Sequence, residues 1–182
     1  MATLACLLRG INVGGNKIVK MALWKQLYEE MGFTRVRTLL QSGNLLFDGA
    51  DVAEDRGDLA RRLEGAFKDR FGFHADHVLR DGGQLAAAIR DNPFPDAAAG
   101  SPSHLLVFFL AAAPTAEGAA RLAALETGPD RLHLSGDRLY VHFLNGAGRA
   151  ALDPVKVLRA MGVSGTSRNW TTLGRLAGLA AA

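Results

Sequence analysis

Arg131-Leu132-His133-Leu134-Ser135-Gly136-Asp137-Arg138-Leu139-Tyr140-Val141-His142-Phe143 alternates apolar and polar side chains on both sides of Gly136-Asp137. A period of two reads as a strand with one apolar face, and two such runs joined by a glycine-containing pair read as a hairpin. Leu132, Leu134, Leu139, Val141 and Phe143 share one face, while Arg131, His133, Ser135, Arg138, Tyr140 and His142 share the other. This hairpin asks for an apolar layer on one side, which helices supply to an antiparallel sheet.

Outward from the hairpin, the pattern is that of a duplicated unit. Upstream, Leu105–Leu110 reads as a strand and Ala116–Leu125 as a helix closed by Gly128-Pro129. Downstream, Asp153-Pro154 supplies an N-cap and first helical residue, followed by a short strand over Val163–Ser167 and a helix over Thr172–Leu179. The first half runs in the same order. Thr3–Val13 is a strand, Met21–Met31 a helix stopped by Gly32, and Arg35–Gln41 and Asn44–Asp48 a hairpin about Ser42-Gly43. Asp58–Phe71 is a helix ended by Gly72, Ala75–Arg80 a strand and Gln84–Arg90 a short helix. In this first hairpin the second face, Arg37, Leu39, Gln41, Asn44, Leu46 and Asp48, is partly apolar, as if something covered it.

Strand, helix, hairpin, helix, strand is the split β-α-β order. The expected fold is therefore α+β, with two tandem ferredoxin-like subdomains over 1–92 and 93–182, each an antiparallel sheet with helices on one face. The chain of 182 residues is 48% hydrophobic with one cysteine, which excludes a disulfide scaffold and a chain too polar to collapse. Cys6 lies inside an apolar strand and points to a reduced, cytoplasmic setting. Arg9 interrupts any signal-peptide core, and the longest uncharged apolar run, Leu105–Ala113, falls well short of the ~20 residues of a membrane helix, so no membrane association is expected.

Net charge is only +3, but it is unevenly placed. Met1–Phe47 carries +4 and Arg131–Ala182 carries +5, with both intervening blocks negative. The positive blocks also hold the glycine-rich loops, which points to an anionic ligand. In the first loop, Arg9, Asn12, Gly14, Gly15 and Lys17 combine cations with glycines that allow close backbone approach. Gln41, Ser42 and Asn44 offer amide and hydroxyl groups at the mouth of a hairpin. Asn145–Arg149 is a third loop of the same kind, and Arg168, Asn169 and Trp170 set a guanidinium beside an indole. These are neither a Walker loop nor a dinucleotide fingerprint, and no cofactor is implied. His74, Asp76 and His77 invite a metal reading, but in an extended segment His77 points away from the other two. A site there would need a ligand from elsewhere, so none is expected. No nucleophile and base pair stands out, and the sequence leaves open whether the protein is an enzyme.

Arg9-Gly10-Ile11-Asn12-Val13-Gly14-Gly15, Gln41-Ser42-Gly43-Asn44, Asn92-Pro93-Phe94 and Arg168-Asn169-Trp170, in this order, resemble the bacterial domain of unknown function 1697 family. The resemblance covers nearly the whole chain and implies an intracellular α+β protein of two ferredoxin-like parts, with no activity to carry over. This chain departs from the family pattern after the third loop, where Ala150, Ala151 and Leu152 replace a Ser or Thr and a Lys, and at Thr171, where Asn is usual. The functional expectation is a basic cleft between the halves, built from Arg9–Lys17, Gln41–Asn44 and Arg168–Trp170, that binds a small phosphate- or nucleotide-like anion. The alternatives are a single-stranded nucleic-acid-binding module using the sheet face of Arg131, His133, Arg138, Tyr140 and His142, or a protein-interaction module, self-association included.

Overall fold

The computed structural model describes residues 3–50, 54–149 and 152–182. In chain order these form β1 (Leu4–Leu8), α1 (Met21–Glu30), β2 (Thr34–Thr38), β3 (Asn44–Asp48), α2 (Arg56–Phe71), β4 (His77–Asp81), α3 (Gly82–Arg90) and α4 (Pro95–Gly100). There follow β5 (Leu105–Leu110), α5 (Ala116–Ala123), β6 (Arg131–Ser135), β7 (Arg138–His142), a 3-10 turn over Ala147–Arg149, α6 (Pro154–Met161), β8 (Gly165–Asn169) and α7 (Trp170–Ala181). The chain divides into two compact units, Met1–Ala86 with Leu176–Ala182, and Ala87–Arg175. Each unit holds a four-stranded antiparallel sheet, ordered β2-β3-β1-β4 in the first and β6-β7-β5-β8 in the second. The fold is α+β with two similar halves.

In the first unit β1 is buried along its whole length, as a central strand must be. On one face Leu4, Cys6, Leu8, Leu45 and Phe47 pack against Trp24 and Leu27 of α1 and Leu59, Leu63 and Phe67 of α2. The helix ends obey local rules. The Asp55 carboxylate accepts from the Gly57 and Asp58 N–H groups to open α2, and Gly72 closes it in the left-handed conformation at φ 78°. The second face is also covered, since Ala5, Leu7 and Leu46 are buried and Arg37 donates to the Leu179 carbonyl at 2.9 Å. The apolar mixture on that side of the first hairpin is thereby explained.

The second unit follows the alternation of its hairpin. Ser135 and Arg138 pair directly across the two-residue turn, and Phe108, Leu139, Val141 and Phe143 pack against Leu122 of α5 and Val157, Leu158 and Met161 of α6. Its other face is occupied, which the sequence did not foretell. Tyr140 donates to the Ala88 carbonyl at 2.9 Å, His142 lies 3.2 Å from Ser101 Oγ, and Arg138 reaches Asp91 at 3.3 Å. Arg131 pairs with Asp96 at 2.7 Å and lies over the Phe94 ring at 4.7 Å. Residues 88–101 thus lie on the polar side of the hairpin: the end of α3, read from sequence as the helix Gln84–Arg90, and then α4, which falls where the sequence shows only Asn92-Pro93-Phe94-Pro95 and a run of small residues to Pro102.

Three boundaries differ from those the sequence pattern suggests. β1 stops at Leu8 rather than Val13, because Gly10 at φ 66° and Asn12 at φ 53° leave the extended region. The first hairpin has a wide connection instead of the two-residue turn Ser42-Gly43, since Leu39 and Asn44 close it by a 2.9 Å bond and Leu40 and Gly43 both take positive φ. β8 starts at Gly165 and runs to Asn169, set by its register with β5.

Gly118 marks the tightest helix contact, for a Cβ there would stand 2.4 Å from the Met161 carbonyl oxygen of α6. Gly118→Ala should lower unfolding stability by about 1–3 kcal/mol in a urea titration. Gly174→Ala in α7, where nothing lies within 4 Å, should leave it unchanged or raise it. Equal effects at both positions would contradict this packing.

Candidate functional site

The antiparallel pairing of β1 with both neighbours brings three connections to one end of the first sheet. Leu7 pairs with Asn44 and Leu8 with His77, so the exit of β1 meets the entries of β3 and β4. Two backbone bonds continue past the strands, Leu8 N–H to the Gly43 carbonyl at 2.8 Å and Arg9 N–H to the Asp76 carbonyl at 3.3 Å. Gly43 is required here, because a Cβ would stand 2.9 Å from Leu8 Cβ at a φ of +81°.

Residues 12–17 form a small hairpin of their own. Asn12 N–H donates to Lys17 O at 3.2 Å and Asn16 N–H to Val13 O at 3.1 Å, around Gly14 and Gly15 at φ 59° and 76°. Two positive φ values at the centre are what a two-residue turn of this hand demands, and glycine meets them without strain. The Asn12 side chain fastens this hairpin to its surroundings. Its Oδ1 accepts from Val19 N–H at 2.8 Å, and its Nδ2 donates to Val19 O at 3.1 Å and Gln41 O at 2.8 Å. The loop of Arg9–Lys17 and the turn of Gln41–Asn44 are therefore neighbours.

Their side chains divide into builders and exposed groups. Asn44 is fully buried, its amide donating to Leu39 O at 2.8 Å and Ser42 Oγ at 3.0 Å. It shapes the turn. Gln41 and Ser42 are exposed, as are Gly14, Gly15 and Lys17, and nothing lies within 4 Å of where a Cβ would stand on either glycine. Arg9 is about a third exposed and approaches the Asp76 carboxylate at 3.5 Å, and Lys17 donates to the His74 carbonyl at 3.4 Å with its ammonium 5.8 Å from the Phe73 ring.

The segment before β4 thus joins the site, a connection that local sequence spacing did not supply. His74 Nε2 lies 2.9 Å from Asp76 Oδ1, and Glu64 of α2 accepts from the His77 N–H at 3.0 Å. One carboxylate oxygen each from Glu64 and Asp76 and one ring nitrogen of His74 lie within 4.8 Å of one another. Among the described residues this is the one such set of three.

The remaining sequence candidates lie in the second unit. Arg168 is nearly fully buried and donates to Thr166 Oγ1 at 2.8 Å and Ser167 O at 2.7 Å. Asn169 Oδ1 accepts from Thr172 N–H at 2.9 Å, capping α7, and Trp170 is half-buried at its start. In the third loop Gly146 N–H bonds to Phe143 O at 3.0 Å. The departures from the family pattern at Ala150 and Ala151 lie outside the described residues.

An α+β protein with two like halves and a charged loop cluster on one of them is the class these features define. The chain belongs to the family described as protein of unknown function (DUF1697), whose model matches residues 1–140. In solved structures it is similar to a conserved bacterial protein, SP0830 from Streptococcus pneumoniae, at 22% identity over 98% of both chains with a TM-score of 0.77. That likeness shows the fold. No curated protein matches the chain.

Beneath the cluster His77 is buried, its Nδ1–H donating to Ala75 O at 2.8 Å while the ring packs edge-on against Phe67. Burial pushes its imidazole down to about 4, with the Ala75 bond and Asp76 opposing and His74 adding. An unfolded histidine titrates near ~6.5, so between these values the unfolded chain binds the extra proton. Stability is therefore full above the upper value and falls as pH drops toward the lower. His77 should account for a loss of roughly 2–3 kcal/mol between pH 7.5 and 4.5, and His77→Phe should flatten the profile by that amount in urea titrations at the two pH values. Parallel profiles for the two proteins would contradict the assignment.

Proposed function

We propose that the protein binds a small anionic ligand, of phosphate or nucleotide type, at the loop cluster of the first unit flanked by Arg9 and Lys17. The observation that carries this reading is the placement of two cations beside an exposed glycine hairpin whose backbone is open to close approach. Arg9 pairs with Asp76 at 3.5 Å, a loose and partly solvated pair that an anionic ligand can replace with charge-assisted bonds. Gln41, next to Asn12, adds an exposed amide at the same end of the sheet.

The second unit supports the reading by contrast. The same backbone bonds recur there, Leu110 N–H to Asp137 O and Ala111 N–H to Ser164 O, each at 2.9 Å. The loop leaving β5 is Ala111-Ala112-Ala113-Pro114, with no cation. The cations thus occupy one of two like frameworks. The sheet face of Arg131, Arg138, Tyr140 and His142 is engaged by residues 88–101 and is not adopted as a nucleic-acid surface. No helix among the described residues is long and apolar enough to cross a membrane, and a buried Cys6 thiol suits the reducing cytoplasm that this reading assigns.

A thermal-shift screen of inorganic phosphate, nucleotides and phosphorylated metabolites tests the proposal. A ligand at 100 times its dissociation constant adds about 2.7 kcal/mol, which raises the melting temperature by several degrees. Arg9→Ala and Lys17→Ala should each remove most of that rise. A screen without any rise, or a rise that both variants keep, would overturn it.

A further inference from the structure

The geometry points to a divalent transition-metal site, of the Zn2+ class, ligated by Glu64, His74 and Asp76. In sequence, His74 and Asp76 lack a third partner. α2 supplies it by turning back at Gly72, which sets Glu64 beside the segment that leads into β4. The three donor atoms lie within 4.8 Å of one another, against about 3.4 Å between neighbours around a tetrahedral zinc with bonds near 2.0–2.1 Å.

Part of the set is already held in place, as contacts behind metal ligands orient them. The His77 N–H holds one oxygen of Glu64 at 3.0 Å, and His74 Nε2 lies 2.9 Å from Asp76 Oδ1. One imidazole nitrogen with two carboxylates suits zinc better than calcium or magnesium, which take oxygen ligands. Two carboxylates supply the negative charge a divalent ion requires, and the exposed His74 leaves the site accessible from solvent with a coordination position free for an exogenous ligand.

The site adjoins the proposed anion site, with Arg9 3.5 Å from Asp76, but the ligating groups differ: Glu64, His74 and Asp76 for the metal, Arg9 and Lys17 for the anion. Titration of the metal-stripped full-length protein with ZnCl2, followed by calorimetry and by NMR of the histidine rings, tests it. One zinc per chain should bind, with the His74 ring resonances moving and those of His104 and His133 unmoved. His74→Ala and Glu64→Gln should each weaken binding at least tenfold. The His74 side chain is exposed, and the carboxamide oxygen that Glu64→Gln introduces still accepts from the His77 N–H, so melting temperatures should stay near that of the parent. Arg9→Ala should lose the anion-induced thermal shift yet keep one bound zinc, which separates the two proposals. Absence of a binding heat, movement of His104 or His133 in place of His74, or parental affinity in both ligand variants would each overturn the site.

Discussion

Everything at the candidate site depends on the position of β1 between two antiparallel neighbours. A strand so placed sends its exit to the same edge of the sheet as the entries of both partners, and Leu7 opposite Asn44 and Leu8 opposite His77 fix the register. A slip of one residue would turn each side chain of β1 to the opposite face and bring different loop residues together. Both faces of β1 are buried, so a slip would have to repack the unequal side chains Leu4, Ala5, Cys6, Leu7 and Leu8 against close-packed neighbours on each. The strand order β2-β3-β1-β4 thus gathers residues 9–20, 39–43 and 72–76 without any contact between their side chains being needed first.

Duplication repeats that framework and leaves its chemistry unequal. In both units the exit of the central strand bonds to the turn before one neighbour and to the residue before the other. The first unit fills these positions with Arg9, Asn12, Lys17, Gly43, His74 and Asp76, the second with alanines, Pro114, Asp137 and Ser164, and so without a cation. A structural role alone would need the backbone bonds and not the charged groups. Arg9, Lys17 and His74 keep their side chains partly or largely exposed while they engage Asp76 and the His74 carbonyl, whereas Asn12 and Asn44 spend theirs on shaping the loops.

Much of the fold was legible because it is written in short-range patterns. The alternation about Gly136-Asp137, the Asp153-Pro154 cap and the Gly72 stop each act within a few residues, and each appears where it was read. The short helix Pro95–Gly100 was missed, because a run of alanines between prolines has no periodicity to reveal it. The end of β1 was misplaced, since Ile11 and Val13 look like strand residues and only the positive φ of Gly10 and Asn12 removes them from it. At the site, Arg9 and Lys17 could be picked out by charge beside glycine. Glu64 could not, because ten residues and a helix turn separate it from His74, and its position beside Leu63 marks it only as the polar rim of an apolar helix face. Asn44 and Arg168 looked like ligand groups in sequence, and in the structure both are buried in local bonds.

Asn12 is where the account can be tested most directly, for its one carboxamide ties the glycine hairpin to Val19 and to Gln41 of the neighbouring turn. Site-resolved amide hydrogen exchange on the parent protein and Asn12→Ala measures that tie. The account predicts a protected Val19 amide in the parent that exchanges far faster in the variant, with the Leu45 and Leu79 amides inside the sheet unchanged. A Val19 amide that exchanges as freely as Gly14 in the parent, or that keeps its protection without the Asn12 side chain, would show that the loops are not held together as described.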